Sequence, residues 1–302
     1  MADDQASARQ RVAGAGDPRV TPARPDLAAR HLAGKVMAAR FTDGEAREVI
    51  AAQAPVRRHP ASDAPLDTEA LKGECVTVYE TTPEGWCWGQ LEADRYVGWL
   101  PAGALSPPGP TATHRVAVPR TLVFPGPSIK LAPIETLSLG CRLAIARSAE
   151  PFAITAAGEH VPARHLAPVD TAEPDMVAVA ERFLHVPYLW GGKTSLGLDC
   201  SGLVQVALAA CGIGCPRDSD MQEVTLGAPL AFTDGFPRDL SDLRRGDLLF
   251  WQGHVAIARD ERTLIHANAF HMAVVIEPIA EAIVRIAASG SDLTSVRRIG
   301  AA

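Results

Sequence analysis

A nucleophilic cysteine needs a reactive thiol, a base within reach and room for a substrate. One stretch of this chain offers the first and the third together, Leu198-Asp199-Cys200-Ser201-Gly202. Asp199 is a good N-cap residue, because its carboxylate can accept the first free amides of a helix. Cys200 then falls in the first turn, where the helix dipole favours a thiolate. Backbone amides at the same helix start can hold an oxyanion, and Ser201 and Gly202 leave space beside the sulfur. The base is sought among nine histidines. His254, in Gly253-His254-Val255-Ala256-Ile257, opens a strand pattern, and His266 lies on the far side of a strand-turn-strand. Two adjacent antiparallel strands bring the pair side by side, so His266 can orient His254, as Asn or Asp does in other triads. His271 is the runner-up for that orienting role. His31, His59, His114, His160, His165 and His185 read as polar surface. Cys141 and Cys211 read as small buried hydrophobes.

Around these residues the chain divides. Residues 1–44 read as a polar tail followed by a short helix over Leu27–Arg40. Residues 45–106 read as a small barrel. There Cys75–Tyr79, Trp86–Leu91 and Tyr96–Pro101 alternate as strands, and Thr82-Pro83-Glu84-Gly85 and Ala93-Asp94-Arg95 turn between them. Ser106-Pro107-Pro108-Gly109-Pro110 is a linker. Residues 112–168 form a second β region, with strands near Val116–Val118, Thr121–Phe124, Leu143–Ile145 and Phe152–Ile154. From 171 to 302 the rhythm is helical and then strand-like. Thr171 can cap a helix with Pro174 in its first turn, and Met176, Val177, Val179, Ala180, Phe183 and Leu184 supply its apolar stripe. A second helix starts at Cys200 and closes at Gly212. Strands follow at Asp247–Trp251, His254–Ala258 and Thr263–Ala267. Thr225–Arg238 reads as a long loop beside the cleft. A helical pair on an antiparallel sheet makes this part an α+β domain.

Composition narrows the function classes. The net charge is −6 with acids and bases interspersed, which argues against nucleic-acid binding. No run approaches the roughly 20 apolar residues of a membrane helix. The acidic start, without an apolar stretch, is unlike a secretory signal, so a cytoplasmic location is expected. The six cysteines are expected to be free thiols in that setting. Cys211 and Cys215 lack partners at zinc-site spacing, so neither a metal nor another cofactor is expected.

The motifs Tyr188-Leu189-Trp190-Gly191-Gly192, Leu198–Gln205, Pro216–Gln222, Arg245–Phe250 and Gly253–Ile257 resemble, in this order, those of the NlpC/P60 family of cell-wall cysteine peptidases. The two upstream β regions are similar to bacterial SH3 domains. The whole layout resembles the γ-D-glutamyl-L-diamino acid endopeptidases (dipeptidyl-peptidase VI type). The resemblance implies a papain-like catalytic domain behind two SH3-like barrels. It also implies roles: Cys200 as nucleophile, His254 as base, His266 as its orienting partner and Tyr188 beside the oxyanion hole. The substrate would be a murein peptide, L-Ala-γ-D-Glu-diamino acid, with a free amino end bound in a closed acidic pocket. Asp218 and Ser219 match the catalytic-domain part of that pocket, Trp190, Asp199 and Ser201 line it, and Glu74 and Tyr96 match the barrel part. An ammonium out of water needs carboxylate partners, so such a pocket would reject blocked amines. Tyr96 and Trp99 can equally be barrel core, and Asp218 and Asp220 can equally be helix caps, Asp220 more so. Two other functions fit the same residues: an amidase or acyltransferase using the same Cys and His, or a non-enzymatic wall-peptide binder.

Overall fold

The computed structural model describes residues 16–230 and 242–300. The first fifteen residues of the expected tail and most of the expected 225–238 loop fall outside these. The part of that loop that is described includes a two-residue strand, Ala228–Pro229.

The helix expected over Leu27–Arg40 does not form. Leu27–Ala29 is a strand paired in parallel with Arg40–Thr42, and between them lie one 3-10 turn and Gly34 at φ +78°. The reason is visible in burial: Leu27, Ala28 and Ala29 are all buried, a continuous run that no single helical stripe supplies. Leu27 packs with Trp88, Val97 and Trp99 of the barrel that follows.

That barrel is a seven-stranded sheet running from Glu45–Val49 to Leu105–Ser106. Trp86–Leu91 sits between Cys75–Thr81 and Val97–Pro101, held by the alternation read in the sequence. Val49, Val56, Val76, Leu91, Tyr96 and Leu100 fill its interior. The second β region, from His114 to Pro168, consists of three short sheets. Its core of Val116, Val123, Leu137, Cys141 and Val161 also takes in Leu71 of the barrel.

The C-terminal domain is built on a six-stranded antiparallel sheet. Its order is Ala228–Pro229, Leu293–Arg298, Leu248–Trp251, His254–Ala258, Thr263–Asn268, Ala273–Pro278. Among the described residues four helices accompany it: α1 (Met176–Glu181), α2 (Cys200–Ala210), α3 (Ser219–Thr225) and α4 (Ile279–Ala288). Leu248, Phe250, Val255 and Ile257 face α1 and α2, while Leu249, Trp251 and Ala256 face α4. Alternation along each strand thus serves two cores, one on each face. Asp175, not Thr171, caps α1, accepting the Val177 amide at 2.9 Å; the Thr171 hydroxyl donates to the Pro168 carbonyl instead. The α1 helix also stops at Glu181, before Phe183 and Leu184, and the chain turns at His185 with φ +68°. Among the described residues no helix is long and apolar enough to cross a membrane.

Candidate active site

The site begins at the start of α2. Asp199 caps the helix: its Oδ1 accepts the Gly202 amide at 2.7 Å, and its Oδ2 accepts the Gly191 amide at 2.8 Å. Gly202 is required here, since a Cβ would lie 2.2 Å from the Gly192 carbonyl oxygen. The 188–192 loop is therefore fastened directly to the helix that carries Cys200. Behind both stands Arg217, only 1% exposed. Its guanidinium donates to both oxygens of Asp199 (2.9 and 2.7 Å), to the Ser201 hydroxyl (2.8 Å) and to Thr68 Oγ1 of the barrel (2.9 Å). Burial works against the Arg217 charge, but Asp199 more than compensates and holds its pKa above the usual arginine range. Asp199 and Ser201 line the cavity as expected, yet their polar atoms are engaged within the protein.

Cys200 is buried in the first turn of α2, but its thiol does not follow the helix-dipole expectation. Burial first, and then the neighbouring Asp199 charge, push it up to about 12. Backbone N–H groups of Val255 and Ser201 oppose that rise without overcoming it. Both causes favour the protonated thiol over the thiolate at rest. Val255 is the neighbour of His254, so the sulfur lies against the start of the histidine strand.

His254 Nε2 lies 2.8 Å from His266 Nδ1. His266 is 1% exposed, and its Nε2 meets Glu277 Oε1 at 2.6 Å and Asn268 Nδ2 at 2.8 Å. His271 reaches this group through Asn268, whose Oδ1 accepts the His271 amide; it does not replace His266 beside His254. Burial first, then the neighbouring His266 ring and the Arg285 charge, take His254 down to about 3 against the pull of Glu277. Both histidines are neutral at rest, because burial also lowers His266.

The sulfur opens on a cavity of about 750 Å³. Tyr188, Trp190, Asp218 and Ser219 line it from the C-terminal domain, and Arg58, Asp67 and Tyr96 from the barrel. Tyr96 is packed in the barrel core, and its hydroxyl reaches the cavity and donates to Asp218 Oδ2 at 3.1 Å. Asp218 stands at the N-cap position of α3, but its side chain makes no cap bond. Asp220, expected to cap, lies inside the first turn. Burial raises the Asp218 carboxyl above the usual range, although Arg217, Arg19 and Tyr96 act against that. Arg19 reaches in from the N-terminal segment and pairs with Asp218 at 3.0 Å and Asp220 at 2.6 Å.

Glu74, expected in this pocket, is elsewhere. Its carboxylate accepts the Leu71 amide at 2.8 Å and pairs with Lys193 at 3.1 Å, beside a second cavity of about 370 Å³. Lys193 is only 5% exposed, and an ammonium so far out of water draws the nearest carboxylate to itself. The barrel acid that lines the first cavity is Asp67, paired with Arg58 at 2.8 Å. Arg19, Arg58, Asp67 and Glu277 were not foreseen from the sequence, and Arg217 was noted only as part of a motif. Glu277 had a signal: alternation along Ala273–Pro278 sets it on one face of the sheet with Val275. Among the described residues, no cluster of three or more His, Cys, Asp or Glu side chains is arranged to hold a metal ion.

Comparison with known proteins agrees with this geometry. Residues 185–288 match the NlpC/P60 family, and residues 56–105 match a bacterial dipeptidyl-peptidase SH3 domain. A segment of 97 residues is 35% identical to dipeptidyl-peptidase 6 of Lysinibacillus sphaericus, spanning 31% of this chain and 32% of that one. The γ-D-glutamyl-L-lysine dipeptidyl-peptidase of Bacillus subtilis is 31% identical over 207 residues, 63% of this chain and 65% of its own length. Its Bacillus cereus counterpart is 25% identical over 248 residues, 71% of each chain. The chain thus spans between about a third and 71% of the length of these relatives. The crystal structure of an NlpC/P60 family protein from Bacillus cereus superposes with a TM-score of 0.67 at 21% identity, covering 84% of this chain and 99% of that one, which establishes a shared fold. Residues 185–288 thus form an NlpC/P60 family domain, and a bacterial SH3 domain precedes it.

Proposed function

We propose that this chain, with its NlpC/P60 domain set behind a bacterial SH3 barrel, is a cysteine endopeptidase that cuts the γ-D-glutamyl–diamino acid bond of murein peptides bearing a free L-Ala end. One observation carries the reading: the cavity that exposes Cys200 also exposes Asp218, a carboxylate whose oxygen is positioned by a hydroxyl from the other domain. A buried acid near a nucleophile, walled by two domains, suits a short substrate with a cationic end. A free amine on L-Ala exists only once a peptide has left the glycan, so the role would be recycling of released wall peptides, in the cytoplasm.

In this reading the substrate ammonium pairs with Asp218, beside Ser219 and Trp190, and the γ-carbonyl carbon meets Cys200. His254 takes the thiol proton as sulfur attacks. The S–C bond forms, the carbonyl π pair moves to oxygen, and the oxyanion is met by amides at the start of α2, with Tyr188 alongside. The C–N bond then breaks, and His254 passes its proton to the departing amine of the diamino acid. Water, deprotonated by His254, hydrolyses the thioester and frees L-Ala-γ-D-Glu. Attack from a neutral thiol and a neutral imidazole suits general-base catalysis better than a preformed ion pair.

The test uses the tripeptide L-Ala-γ-D-Glu-diamino acid, followed by mass spectrometry. Cys200→Ala should abolish release of L-Ala-γ-D-Glu, and N-acetylation of the substrate should block turnover by the unaltered protein. Release by the variant, or turnover of the acetylated peptide, would overturn the nucleophile or the amine pocket respectively.

A further inference from the structure

The contacts of His266 do not end at His254. In the sheet register His266 lies opposite Val275 and Leu264 opposite Glu277. Side chains that alternate along paired strands therefore put His266 and Glu277 on one face, as diagonal neighbours. Their atoms are 2.6 Å apart, and Glu277 also pairs with Arg285 of α4. A carboxylate oxygen and a ring nitrogen come this close only with a proton between them, since two lone pairs would repel.

That proton fixes the whole row. With the hydrogen on His266 Nε2, a neutral His266 presents the lone pair of Nδ1. At 2.8 Å, His254 Nε2 must then donate its hydrogen to that lone pair. The basic position left on the His254 ring is Nδ1. The opposite tautomer of His266 would leave His254 with a hydrogen on Nδ1 and no base to offer. Asn268 also lies 2.8 Å from His266 Nε2 with its Nδ2. A neutral amide there cannot set the tautomer against a carboxylate at 2.6 Å.

We infer that Glu277 is a positioning residue for catalysis, holding His266 in the tautomer that makes His254 a base and balancing the positive charge His254 gains when it takes the thiol proton. The inference rests on the cysteine-peptidase reading above. The charged and titratable groups facing the histidine pair are Glu277 on its own sheet, Arg285 from α4 and His271 from the following turn. Burial alone would raise the Glu277 carboxyl, but the His266 hydrogen bond and Arg285 hold it below the usual range, so it is a carboxylate at neutral pH.

The two charges flanking the pair pull His254 in opposite directions, and the experiment uses that. Glu277→Gln keeps the shape and removes the charge. Arg285→Gln removes the charge that offsets Glu277. Activity on the tripeptide and alkylation of Cys200 by iodoacetamide are each followed against pH, with thermal melts to establish folding. Glu277→Gln should lower kcat about tenfold or more, a part of the 100-fold to 10,000-fold a general base supplies, with KM changed less than twofold. Its alkylation rate at pH 7 should fall in parallel, and its acidic limb should move to lower pH. Arg285→Gln should move that limb to higher pH. Folded variants with unchanged kcat and unchanged alkylation would overturn the inference, as would acidic limbs that shift in the same direction. If Glu277→Gln does not fold, the direction of the Arg285→Gln shift decides alone. Should the unaltered protein leave the tripeptide intact, the substrate reading fails, while alkylation still tests the role of Glu277.

Discussion

Two helices of the catalytic domain, α2 and α3, begin beside an aspartate, and the two aspartates are put to opposite uses. Asp199 is saturated: two amides, a hydroxyl and both arms of Arg217 surround its oxygens. Asp218 leaves the cap of α3 unmade and turns its carboxylate to the cavity, where Tyr96 and Arg19 both meet Oδ2. The difference is one of residual capacity. A carboxylate whose lone pairs are all matched from within the chain holds the fold, whereas one with binding capacity facing a cavity is available to a ligand. Position at a helix start does not separate the two, since the residue type is the same.

The comparison breaks most sharply at Asp199. Asp199→Asn leaves the Arg217 guanidinium buried without its counter-charge. The expected loss is about 3–5 kcal/mol, read as a lowered denaturation midpoint. A near-normal midpoint would mean that Arg217 is held by its neutral partners alone. Asp218→Asn should act the other way. KM for the tripeptide should rise about tenfold to a hundredfold, the worth of one hydrogen bond to a charged group, while stability at neutral pH rises. Its pH dependence sharpens the point. The Asp218 carboxyl is raised in the folded protein, so its charge at neutral pH is a cost of folding. As pH falls through the folded pKa, protonation removes that cost. The stability gained by Asp218→Asn should therefore be present at pH 7 and vanish in acid, as melts at a series of pH values will tell. The smallest effect is at Glu74. Glu74→Gln should lower stability by about 1–2 kcal/mol by depriving Lys193 of its partner, and leave KM within twofold; a large KM change would return Glu74 to the substrate pocket.

The parts of this molecule that could be read from the sequence are those set by local rules. The Asp199 cap and the helix from Cys200 follow from neighbours in the chain. The strands of His254 and His266 follow from alternation. The repeat of Ile279, Ala282, Ile283 and Ile286 at helical spacing is also present in the sequence, and it forms α4. What stayed hidden depends on contacts between distant residues. Nothing local distinguishes Asp67 from Glu74, which lie on neighbouring strands and turns of one barrel. Which of them faces the sulfur is decided by Lys193 and Arg58, one from the other domain. The thiol expectation failed for a related reason. The helix start is local, but the burial that raises Cys200 comes from the sheet and helices packed with it.

Arg217 joins Thr68 of the barrel to Asp199 of the catalytic domain with a single guanidinium. Domains joined along one chain usually meet through modest interfaces and move relative to one another. This pair is not of that sort. Detaching the barrel would take away a hydroxyl that a buried cation uses, and would open one side of the chamber in which the sulfur works. A change on either side of the seam therefore reaches both the Arg217 contacts and the lining of the cavity onto which Cys200 opens.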